Sequence, residues 1–275
     1  FPAWHFSNFD WFSMIFAVNH PTFQANGITL SKERISAIVA SRGCPNLRQC
    51  YFCNTPSFWC KRYRWRSAEN ILDEVEELYT KNNIKVFSFN DDAFPVNKKQ
   101  CLEFCDGIKN RGLKIAWKSD TRADVLDKEM IKAMKESGCF MVALGIESGS
   151  EKILKTIRKN LNLNKARETI KYLKEEGILA YALLMVGNIG ETQETILETK
   201  KFIEETLPDI STWVTGVMIC PGTELYRIAK EQGLIDDNYW LEKKDGMPIY
   251  TGELSIEQIN NLSSILNTMP RREIK

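Results

Sequence analysis

From residue 33 onward the chain repeats one unit: a short apolar run, a loop, an amphipathic helix, a glycine, then the next apolar run. No other feature constrains the fold as strongly, because strands separated by helices pair in parallel through right-handed crossovers. Candidate strands fall at 35–40, 84–89, 113–118, 139–144, 180–186 and 211–218, and helices at 68–80, 98–110, 128–136, 151–157, 165–176 and 193–206. In the first helix Ile71, Leu72, Val75 and Leu78 recur on one face. Ser67, Asp127, Asn164 and Thr192 are placed to cap helix starts, and Gly112, Gly138 and Gly177 to end helices in the left-handed conformation. Six units predict a partial (β/α)6 TIM-like barrel with parallel strands rather than a closed one of eight. In such barrels function gathers on the loops at the strands' C-terminal ends.

The ends break the pattern. Residues 1–30 are rich in aromatics (Phe1, Trp4, Phe6, Phe9, Trp11, Phe12, Phe16 and Phe23) and read as a linker or extension. Residues 31–235 hold the barrel, and 236–275 form a C-terminal extension with a helix near 256–266. The chain starts without Met and without a signal-peptide pattern, as an excised part of a longer protein would. No run of 18 apolar residues occurs, so no membrane insertion is expected. A net charge of +1 gives no electrostatic case for nucleic acid.

Chemistry concentrates at the first strand's end, where Cys44, Cys50 and Cys53 stand in Gly43-Cys44-Pro45-Asn46 and Cys50-Tyr51-Phe52-Cys53. Eight cysteines without a secretory signal point to a reducing, cytoplasmic setting, in which a tight cysteine group binds metal or does redox chemistry. Histidine is confined to His5 and His20, which argues against a zinc hydrolase or a Ser-His catalyst. Three thiolates can hold a four-iron cluster with one iron left open. They can also serve a zinc-stabilised binding module if Cys60 supplies a fourth ligand. Cys101, Cys105 and Cys139 read as core residues. Cys220, at the sixth strand's end, is the candidate catalytic residue, as a hydrogen-atom relay.

The other strand ends carry Asn90-Asp91-Asp92, Asp120-Thr121-Arg122, Gly145-Ile146-Glu147-Ser148-Gly149-Ser150, Gly187-Asn188-Ile189-Gly190-Glu191-Thr192 and Pro221-Gly222-Thr223-Glu224-Leu225-Tyr226. In order and spacing, these segments and the cysteine loop resemble the radical S-adenosylmethionine (SAM) superfamily over about residues 33–235. The nearest likeness is to its cobalamin-dependent branch, which includes class B methyltransferases and the anaerobic porphyrin-ester cyclase. In that branch a segment like Phe1-Pro2-Ala3-Trp4 follows an N-terminal cobalamin domain, and one like Arg64-Trp65-Arg66-Ser67 opens the first helix. One departure stands out: the family spacing is C-x3-C-x2-C, whereas this chain has C-x5-C-x2-C.

The resemblance implies a [4Fe-4S] cluster on Cys44, Cys50 and Cys53, with Cys60 as substitute first ligand, and SAM on the open iron, cleaved to a 5′-deoxyadenosyl radical. It implies that Phe52 lies near adenine, that Asn90, Asp91 and Asp92 receive the methionine amino group, and that Arg122 pairs with the SAM carboxylate. Glu147 and Ser148 would meet the ribose, and Val186, Gly187 and Gly190 would let backbone approach adenine. Implied partners are a small-molecule or peptide substrate and an electron donor such as flavodoxin or ferredoxin. The favoured reaction is cobalamin-dependent methyl transfer, with cobalamin held by an upstream domain because these 275 residues lack its Asp-x-His-x-x-Gly signature. The alternatives are radical cyclisation or rearrangement, or RNA modification, to which the basic run 61–66 also lends itself.

Overall fold

The computed structural model describes residues 24–46, 49–242 and 247–268. Six strands form one sheet: β1 (Ile35–Ile38), β2 (Val86–Phe89), β3 (Ala116–Arg122), β4 (Cys139–Glu147), β5 (Leu179–Val186) and β6 (Ile210–Thr215). Each pairs in parallel with its predecessor, so sheet order equals chain order. Between them run α1 (Ala68–Asn82), α2 (Lys98–Asn110), α3 (Lys128–Glu136), α4 (Glu151–Thr156), α5 (Leu163–Glu175) and α6 (Gln193–Thr206), followed by α7 (Glu224–Glu231) and α8 (Ile256–Leu266). A sheet that adds each parallel strand beside the last leaves the helices on one side. The result is the expected partial barrel, with β1 and β6 as its two edges.

Two apolar layers hold it. The outer layer, between sheet and helices, centres on buried Phe87, Phe89, Phe94, Phe104 and Trp117; Phe89 stacks on Phe94 at 4.7 Å, and Phe104 meets Trp117 edge-on at 5.6 Å. The inner floor is made by Ile35, Val86, Ala116, Phe140 and Met141, of which the first three pair in register across β1, β2 and β3. A small antiparallel hairpin, Gln24–Ala25 with Ile28–Thr29, seals that floor with Ala25, Ile28 and Leu30. Residues 24–30 of the expected N-terminal extension therefore pack on the barrel, and the aromatics at 1–23 lie outside the described residues. At the other end α8 covers β6, with Trp213 Nε1 donating to Ser263 Oγ at 2.9 Å. No described helix is long and apolar enough to cross a membrane.

Most expected boundaries hold, and the misses have physical causes. The third strand is expected at 113–118 but runs Ala116–Arg122. Leu113 and Ile115 are buried before the strand begins, and its second half looks polar because Lys118, Asp120 and Arg122 share the lumen-facing side with Ala116. The fourth strand likewise continues to Glu147. The sixth ends at Thr215 rather than 218, because the chain turns away to bridge Met218 with Ile249. Asn162, not Asn164, caps α5: its Oδ1 accepts from the amides of Asn164 and Lys165 at 3.0 and 3.1 Å. Ser67, Asp127 and Thr192 cap as expected, and Gly112, Gly138 and Gly177 take positive φ.

Candidate functional site

The loop leaving β1 is held from three directions. Its start is clamped by Asp91, whose carboxylate accepts from the amides of Ala40 (3.1 Å) and Ser41 and from Ser41 Oγ at 2.6 Å. Ser41 and Arg42 then pair antiparallel with Trp65 and Arg64. Gly43 follows at φ 92°, and a Cβ there would stand 2.1 Å from the Arg62 carbonyl oxygen, so only glycine fits. Asp92 closes the loop on itself: it accepts from the Gly43 amide at 3.1 Å, Thr55 Oγ1 at 2.7 Å and Trp59 Nε1 at 3.0 Å.

Tyr51 pins the far end. Its amide donates to the Ile157 carbonyl at 3.1 Å, its carbonyl accepts from Leu225 at 2.8 Å, and its hydroxyl accepts from Ile189 at 3.3 Å. One buried residue thus ties the loop to the ends of α4, α7 and β5. Burial also pushes the Tyr51 phenol above its ordinary pKa, so it stays neutral and keeps the proton that it donates to Asn188 Oδ1 at 3.5 Å.

Between these anchors Cys44, Cys50 and Cys53 are free and half-buried. Burial pushes the thiol pKa of Cys44 upward, opposed by the Asn46 amide and the charges of Lys159 and Arg122. Burial raises Cys50 as well, opposed by Lys159 and by Asn46, whose Nδ2 donates to the Cys50 sulfur at 3.3 Å. Cys53 lies within electrostatic reach of both. Nearby cations and an amide donor suit sulfurs that carry charge only when shared with a metal centre.

Three free thiols on one loop match the demand of a polynuclear cluster that takes one thiolate per iron. Among the described residues no group of three Cys, His, Asp or Glu forms a site for a single metal ion. Cys60, which a four-cysteine zinc site would need as its fourth ligand, is exposed past a one-turn helix, Thr55–Phe58.

The remaining expected residues divide into two groups. Glu147 ends β4 at the mouth, with Oε1 2.9 Å from Lys159 Nζ. Asn90 is exposed, its Oδ1 accepting from Ser88 Oγ at 2.6 Å, and it lines a cavity with Arg42, Trp59 and Asp120. Phe52 is half-buried, edge-on to Tyr51 at 5.8 Å. Cys220 is partly exposed and lies within electrostatic reach of Cys53, so it belongs to the same mouth.

Others are committed elsewhere. Asp91 and Asp92 hold the cysteine loop through these bonds, and both also line the cavity that Asn90 lines. The fork of Arg122 is filled by Asp124 at 3.0 and 2.8 Å, and it also donates to the carbonyls of Lys159 and Asn160. Ser148 is fully buried, 3.1 Å from Thr199 Oγ1, and turned into α6. Val186 is a core residue. The amides of Gly187 and Gly190 donate to Glu191 and Glu253. Lys159 was not foreseen; its only sequence signal is the turn-forming Asn160, which with Arg158 places left-handed residues on both sides of it.

Comparison with known proteins places residues 38–203 within the model of the Radical SAM superfamily. An uncharacterized methyltransferase of Pyrococcus horikoshii is 32% identical over 79% of this chain and 46% of its own length. The anaerobic magnesium-protoporphyrin IX monomethyl ester cyclase of Cereibacter sphaeroides is 33% identical over 72% of this chain and 32% of its own. The chain thus spans half or less of the length of these curated relatives. Among solved structures, the radical SAM methyltransferase TsrM of Kitasatospora setae, with cobalamin and a [4Fe-4S] cluster bound, shares the fold. Its TM-score is 0.67 at 18% identity, over 73% of this chain and 38% of that one.

Proposed function

Since the chain belongs to the radical SAM superfamily, whose enzymes use a [4Fe-4S] cluster and SAM, we propose that Cys44, Cys50 and Cys53 ligate such a cluster and that the chain cleaves SAM. The observation that carries this reading is the set of three half-buried free thiols on one clamped loop beside Lys159. When bound, the cluster supplies an open iron for SAM and one electron to its sulfonium, releasing a 5′-deoxyadenosyl radical.

The chain's own residues bind, orient and exclude. Asp91, Asp92 and Tyr51 fix where the thiols stand. Lys159 offsets negative charge at the sulfurs and orients Glu147, whose second oxygen is assigned to the SAM ribose. Asn90 takes the methionine end, and Phe52 and the Gly187–Gly190 turn border the adenine. We assign residues 31–235 to this catalytic barrel, with 1–30 and 236–275 as extensions.

For the reaction that follows, the reading is methyl transfer to a small-molecule or peptide substrate, with cobalamin supplied by a further domain and electrons by a flavodoxin or ferredoxin. The methyltransferase relative over 79% of this chain supports it. Likeness to the ester cyclase supports ring formation as the second reading. An oxygen-sensitive cluster on free thiols fits the reducing cytoplasm.

The test is anaerobic reconstitution, followed by counts of iron and sulfide and by product analysis after reduction with SAM. About four irons per chain and 5′-deoxyadenosine are expected. Absence of either sinks the proposal.

A further inference from the structure

The backbone of the basic run that follows the cysteine loop supports that loop, but its side chains have no part in the site described above. It is nonetheless stitched to that loop: Arg64 and Trp65 pair with Arg42 and Ser41, and the Arg62 carbonyl lies against Gly43, next to Cys44. The ribbon carries Lys61, Arg62 and Arg64, all exposed, and none forms an ion pair among the described residues, whereas the exposed Arg42 lies over the Trp59 ring at 5.1 Å. Two large aromatics stand out among them, Phe58 at 72% and Trp65 at 52% exposed. The carboxylates beneath are occupied: Glu74 pairs with Arg66, and Asp91 and Asp92 hold the loop.

We propose that this ribbon is where an acidic one-electron carrier protein docks to reduce the cluster; the proposal rests on the cluster reading above. Arginine and exposed aromatics at the centre of a patch are the composition of an interface rather than of ordinary solvated surface. Lys61, Arg62 and Arg64, without an ion-pair partner among the described residues, are placed to steer an acidic surface into position. The backbone contact at Gly43 puts that surface next to the Cys44 thiolate, through which one electron can enter. The carrier, a flavin hydroquinone or reduced iron–sulfur protein, is oxidised by one electron, the site is reduced by one, and no bond forms or breaks. RNA suits the patch less well. A backbone-tracking site needs a broad basic field, whereas here the cations are confined to one ribbon on a chain whose net charge is +1.

The test uses the 275-residue chain with flavodoxin as probe. Binding is measured by titration at low and at about 0.5 M salt, where exposed charges are screened. The triple variant Lys61→Glu/Arg62→Glu/Arg64→Glu should weaken low-salt affinity by roughly tenfold or more and abolish most of its salt dependence. The milder Lys61→Gln/Arg64→Gln should show the same trend while keeping the fold. Reduction by flavodoxin hydroquinone should slow in parallel, and reduction by dithionite should not. Unchanged affinity and salt dependence in both variants overturn the proposal. So does loss of single-stranded RNA binding with flavodoxin binding intact. If dithionite reveals no reducible cluster in the parent chain, the cluster reading fails instead, and the flavodoxin titration still decides whether the ribbon is the docking face.

Discussion

Lys159 Nζ lies 2.9 Å from Glu147 Oε1 at the barrel mouth, and the space for the pair exists because residue 145 is glycine. A Cβ there would stand 2.9 Å from Nζ and 3.0 Å from Oε1. Both side chains are nearly buried, at 10% and 14% exposure. Burial alone disfavours the ammonium, but Glu147 and the Cys50 sulfur outweigh it and hold its pKa above the ordinary lysine value. One cation therefore serves both a carboxylate and a thiolate.

Replacing that cation separates its two duties. Lys159→Met should cost about 3–5 kcal/mol in urea unfolding, because Glu147 is left charged and unpaired. Adding Glu147→Gln should recover much of that loss. In the reconstituted protein, Lys159→Met should also make the cluster harder to reduce, by up to roughly 60 mV, since a neighbouring positive charge favours the reduced state. An unchanged potential would remove Lys159 from the site's electrostatics.

Glu191 gives a pH signature of known sign. It is 4% exposed, and burial raises its pKa above 4.5 even though it accepts from the amides of Gly187 and Asn188. A folded pKa above the unfolded one means that the stability contributed is complete below pH 4.5 and is lost as pH rises through the folded value. Glu191→Gln keeps an acceptor for both amides and does not titrate. Its stability relative to the parent should therefore rise with pH from about 4.5, by at most about 1.4 kcal/mol per pH unit, and level off above the folded pKa. Denaturant titrations from pH 4.5 upward would detect this. A flat or falling difference contradicts it.

The contrast between Glu191 and its surroundings shows how far the sequence could be read. Helix bounds at 98–110, 128–136 and 193–206 are legible because amphipathic period, caps and trailing residues agree locally. The mouth-side half of β3 is not, since polar side chains facing a lumen look like loop. Motif position located Asp91, Asp92, Ser148 and Arg122 at the right strand ends but could not tell which way each side chain turns. That choice depends on partners 50 and 51 residues away in sequence for Asp91 and Ser148, namely Ser41 and Thr199. Lys159 follows no motif and is brought in by the two left-handed residues around it.

The long spacing between Cys44 and Cys50 leads to a direct ligand test. Cys44→Ala should drop iron and the cluster's visible absorbance to background after anaerobic reconstitution. Cys60→Ala should change neither, because Cys60 is exposed while Cys44 and Cys53 lie within electrostatic reach of one another. The reverse pattern would move the first ligand to Cys60.

Asp92 should matter to the cluster without touching it. Asp92→Ala leaves the Gly43 amide, Thr55 Oγ1 and Trp59 Nε1 without their shared acceptor. The barrel's core does not include that residue, so circular dichroism should be little changed. The thiols would lose the brace that fixes their loop, and chelator-driven iron loss should quicken by about 10- to 100-fold, the usual cost of losing a ligand's support. Iron loss at the parent rate would show that Tyr51 and Asp91 suffice.

Gly149 provides the steric counterpart. Its amide donates to Thr199 Oγ1 at 3.0 Å, which draws the β4–α4 loop onto α6. A Cβ at this position would meet Phe202 Cβ at 2.6 Å, Thr199 Cα at 2.7 Å and the Glu198 carbonyl at 3.0 Å. Two of those atoms are backbone and cannot rotate away. Gly149→Ala should therefore force loop and helix apart and cost about 1–3 kcal/mol, read as a lower Tm. Gly190→Ala is the control, because nothing lies within 4 Å of its Cβ and the penalty comes from its φ of 75° alone, about 1–2 kcal/mol. Adding Phe202→Leu should leave the Gly149→Ala loss largely in place, because leucine keeps the Cβ that makes the contact and the Thr199 and Glu198 backbone remains. Full recovery in that double variant would show that packing around the Phe202 ring, not the close approach of Cβ and backbone, is what demands glycine.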